Sequence, residues 1–449
     1  MGVSKFKGLA KTALGVFALM LLFGACSKKE QAVASGAAEA GASDGGPRQV
    51  RFANWWGDLE IKIADEYFKK EYTPKTGIEV IFEHTPRGDF IQKMVSQMVA
   101  GDSPDLILCN SDDISSYARN DLMLGLNRYM ERDGVDLTAF YGTPDWIIDG
   151  ELYGLPSWYG AWYFFVNVTM LEKAGIPVPR GSWTWDQLRE IALKLNDPAN
   201  GIWGIADGMN WDLMYWYMLN GAAPFSDDMS SCTINSPEMI YAFDFLKRLI
   251  YQDKVMPEPS LYATVSPDAL FADGKAAVYY GGTWSANYFR ETIKKEAFTW
   301  DVIFAPTGPG AGGDVTPARS SGMFIPSSCK NIETAWEVMK HWGSVEGINN
   351  IDIAALTSMP SSPAVLESEA YNLWPAQQPE HFNKEFFRQV AARAKYFPFT
   401  HYYLGENVQN AFNGIGAIVN ENLDSKTILN EAYRTITANW DSIEYIGKK

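Results

Sequence analysis

The sequence predicts an α/β protein with two lobes, and three observations support this prediction. The chain has 449 residues, 47% of them hydrophobic, whereas a single core stops growing near roughly 250–300 residues. Short apolar runs typical of strands alternate with segments of 3.6-residue period, the pattern of an α/β fold. Aromatic residues make up 14% of the chain, which excludes a chain that is disordered as a whole.

The N-terminal segment has the features of a secretory signal peptide. Three lysines precede an apolar run over 12–23, which is too short to span a bilayer comfortably. The run ends in small residues before Cys26, as in a bacterial lipobox, although Phe23 departs from the residue usual at its position. We expect a signal peptide over 1–25, a lipidated Cys26 and, up to residue 47, a flexible tether rich in Ala, Gly and Ser. The alternative is an ordinary signal peptide with an incidental cysteine.

The first part of the mature chain predicts strands and helices in the order β-α-β-α-β. Strands are expected over 50–54, 79–84 and 105–110, and Gly101 ends the second helix. This order predicts a parallel sheet covered on both faces. The apolar faces of the two helices contain Leu59, Ile63, Ala64, Tyr67 and Phe68, and then Phe90, Met94, Val95, Met98 and Val99.

The alternation continues through the rest of the chain without an internal repeat. Thr184 and Gln187 form a capping box, because each side chain can bond the backbone N–H of the other at a helix start. The other predicted elements are strands over 162–168, 276–282 and 300–305, and helices that begin at Ser236-Pro237 and near Ile332.

Charge and cysteine usage exclude several classes of function. The net charge is −16, and a nucleic-acid partner is not expected because phosphate binding needs clustered Lys and Arg. The four cysteines are too scattered for a metal cluster or a dense disulfide framework, and the four histidines have unrelated spacings. We therefore expect no metal and no cofactor. The 16 tryptophans call for an explanation beyond core packing.

Five stretches, in order, resemble the extracellular solute-binding proteins of family 1, relatives of maltose-binding protein. They are AGDSPDLIL at 100–108, the segment 153–188 with its Asn-x-x-x-Leu-x-x-Ala-Gly and Thr-Trp-Asp elements, LFADGKAAVYYGGTW at 270–284, APTGPGAGG at 305–313, and GMFIPSSCKNIETAWEVMKHW at 322–342. The resemblance covers nearly the whole mature chain. It implies the type II periplasmic-binding-protein fold, in which two α/β lobes are joined by a hinge with a ligand cleft between them.

The same resemblance implies lobe boundaries and a function. The first lobe is expected at 48–160 with 322–367, and the second at 161–321 with 368–449. The protein is expected to be the substrate-binding subunit of an ABC importer, a monomer anchored by lipid on the extracytoplasmic face of a bacterial membrane. It would capture a sugar, with the aromatic content favouring an oligosaccharide, and deliver it to the membrane permease. A polyol, a phosphodiester or a uronide as the ligand stays open.

Sugars present apolar C–H faces and hydroxyls, so a sugar site needs aromatic rings and polar side chains at strand ends or in loops. On the first lobe, the candidates Trp55 and Trp56 follow the first strand. The candidates Asn110, Asp112 and Asp113 follow a buried strand, and they could instead cap the next helix. At the hinge the candidates are Trp158, Tyr159 and Trp162, of which two should face the ligand. The remaining candidates are Trp211 in a loop, Trp284 after two glycines, Arg319, His401 and Tyr402. Trp284 matches a stacking position of the family. Arg319 could instead be an exposed surface side chain.

Two other function classes are weighed against this one. A secreted glycan-processing enzyme would need two opposed carboxylates, which 54 acidic residues do not exclude by counting. However, no nucleophile elbow, phosphate-binding loop or zinc-binding His-Glu-x-x-His is present in the sequence. A surface lipoprotein without small-ligand binding would have no cleft between lobes. We expect a binding protein without catalytic activity.

Overall fold

The computed structural model describes residues 48–208, 213–294, 296–311, 313–348, 350–351, 359–368, 381–396 and 400–447. The predicted signal peptide, Cys26, the tether and Trp211 lie outside these residues. The strands are β1 (Arg48–Asn54), β2 (Ile78–His84), β3 (Leu106–Asn110), β4 (Ile147–Ile148), β5 (Glu151–Leu152), β6 (Leu155–Asn167), β7 (Trp203–Asp207), β8 (Ala276–Gly282), β9 (Trp300–Ile303), β10 (Thr316–Phe324), β11 (Met359–Pro360), β12 (Ala394–Lys395), β13 (Tyr402–Leu404) and β14 (Ile443–Tyr445).

Helices follow most of the strands, as the sequence predicts. They are α1 (Asp58–Tyr67), α2 (Thr73–Thr76), α3 (Arg87–Ala100), α4 (Ile114–Ala118), α5 (Asn127–Asp133), α6 (Val168–Lys173), α7 (Trp185–Leu195), α8 (Met214–Leu219), α9 (Pro237–Lys247), α10 (Pro267–Ala272), α11 (Ser285–Thr292), α12 (Ile332–Trp342), α13 (Val345–Ile348), α14 (Pro363–Leu366), α15 (Lys384–Ala392), α16 (Glu406–Gly414), α17 (Ala417–Asn420) and α18 (Ser425–Ala438). No helix in these parts of the chain is long and apolar enough to cross a membrane.

The predicted helix boundaries rest on caps that the structure contains. Thr184 Oγ1 accepts from the backbone N–H of Gln187 at 3.3 Å, and Gln187 Oε1 accepts from the backbone N–H of Thr184 at 2.9 Å. Ser236 caps α9 by accepting from the N–H of Met239. Gly101 ends α3 in the left-handed conformation, with φ of 71°, which glycine adopts without steric cost. The capping box and these two boundaries are confirmed.

The first part of the sheet is parallel, and the rest is mixed. β1 lies between β2 and β3 and is parallel to both, as the β-α-β-α-β order predicts. Beyond β3 the order continues with β10, β6, β8 and β7, and β10 is antiparallel to both β3 and β6. β10 is not predicted from the sequence, because the strand begins with Thr-Pro-Ala-Arg-Ser-Ser-Gly and lacks the apolar character of the other strands.

The strand predicted over 162–168 is the second half of a longer strand, β6. Its first half pairs with β10 and β11, and its second half pairs with β8 and β9. The ladder between β6 and β10 shifts register between Ser321 and Met323, opposite Pro156, where a proline without an N–H is tolerated. A side chain at Gly322 would collide with the carbonyl oxygen of Leu155. One strand therefore connects the two parts of the sheet.

Three apolar clusters form the core of the part of the chain that the structure describes. One contains residues between 50 and 158 together with residues of 323–351, including Phe52, Leu106, Trp336 and Trp342. The other two lie on opposite faces of the second half of β6, because successive side chains of a strand point to opposite faces. Trp162 and Phe164 belong to one of these clusters, and Tyr163 and Phe165 belong to the other. Val365 and Leu366 pack in the cluster with Tyr163.

Candidate functional site

A cavity of about 600 Å³ lies where β1, β3 and β8 end and where β6 pairs with β10. Ligand sites of α/β proteins commonly occur beyond the carboxyl ends of strands. Eight of the residues predicted from the sequence line this cavity. They are Trp55, Trp56, Asn110, Asp112, Trp158, Trp162, Trp284 and Arg319.

The floor of the cavity is formed by alternate residues of β6. Trp158, Gly160 and Trp162 face the cavity, whereas Tyr159 is buried on the opposite face. Tyr159 is therefore the one of the three hinge aromatics that does not reach the cavity. The prediction that two of these three face the site agrees with this placement, and the two-residue period of the strand decides which two.

Trp55 and Trp56 follow β1 and form the wall next to the floor. Trp55 contacts the edge of Phe90 at 4.9 Å between ring centroids, and the guanidinium of Arg87 lies 4.8 Å from the centroid of the Trp55 ring. Trp56 contacts Trp158 in an edge-to-face arrangement at 5.1 Å. These contacts hold both rings while leaving each partly exposed.

Trp284 forms the opposite wall and is 40% exposed. Its ring lies over the backbone of Gly282, since any side chain at that position would collide with the ring. A Cβ added at Gly160 would lie 3.7 Å from the same ring. By contrast, Trp162 is fully buried and stacks on Tyr215 at 3.9 Å, so one of its faces is already covered. Trp284 therefore offers an exposed ring to a ligand.

Small polar groups lie between the aromatic rings. The hydroxyl of Ser321 donates to Asn110 Oδ1 at 2.6 Å, across the ladder between β3 and β10. Thr283 also lines the cavity, and its Oγ1 is enclosed without a hydrogen-bond partner among the described residues. A hydrogen-bond partner supplied to such a buried hydroxyl lowers the free energy of the protein. These groups can exchange hydrogen bonds with a polar ligand.

Two ion pairs border the cavity. Arg319 Nη1 lies 2.9 Å from Asp112 Oδ2, and the Arg319 guanidinium lies 5.4 Å from the centroid of the Trp162 ring. Arg87 Nη2 lies 2.7 Å from Asp113 Oδ2. Arg319 is thus a largely buried, paired side chain and not the exposed surface residue that the sequence left open as an alternative.

Asp113 lies behind the first cavity and does not line it. Burial raises the pKa of Asp113 to about 6, and repulsion by Asp112 adds to the increase, while the Arg87 guanidinium opposes it. The Arg87 guanidinium donates to both oxygens of this carboxyl group. Its role at the first cavity is to hold Arg87 beside Trp55.

A second cavity of about 860 Å³ adjoins the first. Asp112 lines both, and Asp113 and Tyr402 line the second. Its walls come from the residues around α4 on one side and from residues 400–413 on the other, and most of them are polar. Tyr402, which the sequence assigned to the ligand site, thus lies in this second cavity.

His401 lines neither cavity, which corrects its assignment to the ligand site. Its Nε2 donates to the backbone carbonyl of Asp145 at 2.9 Å, and burial lowers the pKa of His401. The Asp145 carboxylate accepts from the hydroxyl of Ser320 at 3.2 Å, and burial raises the pKa of Asp145 to about 7. His401 therefore joins the C-terminal region to the segment that precedes β4.

Seven of the described residues that line the first cavity are not predicted from the sequence. Some could have been found, because Arg87 follows the end of β2 and Thr283 directly precedes Trp284. Gly160 and Ser321 could not be found without the register of β6 and β10. The missed residues are Gly57, Glu60, Arg87, Leu108, Gly160, Thr283 and Ser321.

Comparison with known proteins agrees with the architecture. A binding protein of Brucella abortus (strain 2308) is 27% identical over 346 residues, covering 68% of this chain and 82% of the relative. The maltotriose-binding protein of Pyrococcus abyssi (strain GE5 / Orsay) is 24% identical over 289 residues, covering 63% of this chain and 59% of the relative. An ABC substrate-binding protein from Listeria monocytogenes, solved in complex with cycloalternan, superposes with a TM-score of 0.74 at 20% identity, covering 88% of this chain and 99% of that one.

The superposition shows that the chain has the type II periplasmic-binding-protein fold, with two α/β lobes, a hinge and a cleft between the lobes. The sequence pattern of one family matches residues 57–348, which is more than half of the chain. Its members are extracellular binding proteins. This protein therefore belongs to the family of bacterial extracellular solute-binding proteins.

Proposed function

We propose that this protein is the substrate-binding subunit of an ABC importer and that it captures a carbohydrate in the first cavity. The observation that carries the proposal is the lining of that cavity, where five tryptophans alternate with amide and hydroxyl groups. Aromatic rings suit the apolar C–H faces of a sugar ring, and the polar groups suit its hydroxyls. The relatives point the same way, since one is a maltotriose-binding protein and another was solved in complex with cycloalternan.

The ligand that we propose is an oligosaccharide. The second cavity adjoins the first at Asp112, so a ligand that extends beyond one or two rings has space to continue. The first cavity is rich in aromatic rings and the second is lined mainly by polar side chains. This difference favours a chain of sugar units over a single small solute.

Binding would close the lobes around the sugar. Trp55, Trp56 and Asp112 line one side of the cavity, and Thr283 and Trp284 line the other, so a closed state gives the ligand contacts on both sides. A ligand that contacts the closed state better shifts the population towards it. The closed protein would then dock on the membrane permease, while ATP hydrolysis occurs on other subunits and this chain carries out no catalytic step. We keep the lobe boundaries predicted from the sequence as part of this proposal.

We also propose that Cys26 carries a lipid that anchors the protein to the extracytoplasmic face of the membrane. The support is the sequence before Cys26, with small residues at the end of a signal-like apolar run. In a bacterial host, mass spectrometry should find the mature N-terminus at a lipid-modified Cys26, and Cys26→Ala should release the protein from the membrane fraction. Recovery of an unmodified mature chain would overturn the anchor while leaving the binding function intact.

The binding proposal is tested by titrating the purified protein with mono- and oligosaccharides and polyols while intrinsic tryptophan fluorescence is recorded. A saturable change with one class of glycan, together with a melting temperature that rises with ligand concentration, is the expected result. No response to any glycan would overturn the sugar ligand.

A further inference from the structure

The two guanidinium groups at the first cavity already have carboxylate partners. Arg319 Nη1 is 2.9 Å from Asp112 Oδ2, and Arg87 Nη2 is 2.9 and 2.7 Å from the two carboxylate oxygens of Asp113. The Arg319 and Asp113 side chains are largely buried, with 14% and 10% of their surface exposed. Separating such a pair leaves a charge that is poorly solvated and unpaired, which is costly.

Further carboxylates surround these pairs. Glu60 lines the first cavity, and its Oε2 lies close to the backbone of Gly57, where an added Cβ would be 2.8 Å away. Among the residues that line the cavity, the charges of Arg87 and Arg319 are balanced by those of Glu60 and Asp112, and Asp113 lies behind the cavity against Arg87. These residues therefore offer an anion no surplus of positive charge.

Asp112 also has an acceptor that no protein group uses. Its Oδ1 is enclosed and has no hydrogen-bond partner among the described residues. Asp112 is also the residue that the linings of the two cavities share. When the walls of the cavity move and expose this oxygen, a ligand that brings a hydroxyl or ammonium donor would satisfy it.

We propose, building on the sugar-binding function proposed above, that this site selects uncharged or amine-bearing glycans and rejects anionic ones, with Asp112 as the residue that determines the selection. A uronate or phosphate group in the first cavity would find both guanidinium groups already paired with aspartates. To gain a guanidinium it would have to take Arg319 or Arg87 from its aspartate, and that aspartate would lose its partner. A neutral sugar does not require either ion pair to separate. An ammonium group on the sugar is in addition attracted to the carboxylates and to the faces of the tryptophan rings.

The test uses matched pairs of trisaccharides titrated calorimetrically at pH 7.5. Neutral trisaccharides of glucose, galactose and mannose are each compared with the uronate of the same linkage, and the glucosamine trimer is compared with its glucose counterpart. The glycan class that responds in the fluorescence panel decides which pair is measured first. We expect the neutral member to bind at least about tenfold more tightly than the uronate, and the amine to bind at least as tightly as the neutral sugar.

Variants separate the role of charge from that of shape. Asp112→Asn removes one negative charge and weakens the contact with Arg319, so the preference for the neutral sugar over the uronate should fall by about tenfold. Glu60 also lines the cavity, and Glu60→Gln should shift the preference in the same direction. Asp273→Asn makes the same chemical change at an exposed residue that lines neither cavity, and it should leave the preference unchanged.

Each outcome decides between the proposals. A uronate that binds as tightly as its neutral partner overturns the selection proposed here and leaves the sugar-binding function in place. An unchanged preference in Asp112→Asn also overturns it, since Asp112 would then not determine the selection. No binding of any glycan in either panel overturns the sugar-binding function and, with it, this inference.

Discussion

At the residue scale, the tryptophans of the cavity differ in how much of each ring a ligand can reach. Trp162 is buried and stacks on Tyr215, and Trp158 is nearly buried against Trp56. Trp284 is 40% exposed and lies over a glycine backbone. The sequence could predict Trp284, because a large ring that follows a strand and two glycines has space beneath it. It could not separate Tyr159 from its neighbours, because a shift of one residue reverses every side chain of a strand.

Replacing Trp284 by alanine should weaken sugar binding by at least about tenfold. The loss follows from the removal of an exposed ring that can stack on a sugar face, and tenfold corresponds to about 1.4 kcal/mol. The melting temperature of the unliganded protein should change little, because the ring is partly solvated. Isothermal titration with the glycan found in the panel measures the effect. Tyr288→Ala is a matched control, since Tyr288 is 41% exposed on the following helix and does not line the cavity. Equal affinities for the two variants would contradict the stacking role.

Gly282→Ala tests the position of the same ring without removing it. The added methyl group would collide with the Trp284 ring, so the ring must move away from the cavity wall. Affinity should fall several-fold, and the tryptophan emission of the unliganded protein should shift because the environment of Trp284 changes. Gly313→Ala is the control, because a Cβ at that exposed glycine meets nothing within 4 Å. If Gly282→Ala binds the glycan with unchanged affinity, the ring is not held by this contact.

At the element scale, the sequence predicted the strands and helices that have strong local signals. The three strands before residue 111 and the capped helices α7 and α9 were predicted because apolar periodicity and caps are local properties. The start of β6 and the whole of β10 were not predicted. Pro156, Gly160 and the polar start of β10 have low strand propensity, and pairing between distant segments outweighs it. The cavity floor is built from these two strands, so its register could not be derived from the sequence.

The capping box of α7 should contribute measurably to stability. Thr184→Ala removes the hydroxyl that accepts from the backbone N–H of Gln187, and it keeps the backbone N–H that donates to Gln187 Oε1. We expect the free energy of unfolding to fall by about 1 kcal/mol in urea titrations. Thr184→Ser keeps the hydroxyl and should lie within a few tenths of a kcal/mol of the unmodified protein. A loss of equal size in both variants would mean that the methyl group, and not the cap, carries the effect.

At the scale of the whole molecule, buried polar contacts join segments that are far apart in the chain. Asp145 accepts from Ser320 on β10, its backbone carbonyl accepts from His401, and Trp146 Nε1 donates to the same Ser320 hydroxyl at 2.9 Å. The resemblance to the family predicted the two-lobed architecture, which the superposition confirms. It did not predict these contacts, because they depend on which side chains meet once the distant strands have paired.

The burial of Asp145 should make the stability of the protein depend on pH. Its pKa is raised to about 7 in the folded protein, against about 3.9 for an unfolded chain, so the folded state binds the proton more tightly. The free energy of unfolding should therefore fall as the pH rises from about 4 to about 7 and then level off. Asp145→Asn removes this contribution.

Urea titrations at pH 5 and pH 8 measure that contribution as a difference between proteins. The unmodified protein should lose about 2 kcal/mol more between these pH values than Asp145→Asn does. Asp227→Asn, at an exposed residue, should follow the unmodified protein. Parallel pH profiles for the unmodified protein and Asp145→Asn would show that the Asp145 carboxyl titrates at its ordinary pKa.

The continuity of β6 has a consequence for how the ligand range of such a protein can evolve. Trp158, Gly160 and Trp162 stand on the strand that connects both parts of the sheet, so a substitution there alters the ligand contact and the joint between the lobes together. Trp55 and Trp284 stand beyond the ends of strands, where a change leaves the ladders intact. Adaptation to a new sugar is therefore less constrained at the walls of the cavity, which contain Trp55 and Trp284, than on its floor. Substitutions that change the ligand preference should accumulate first in those walls.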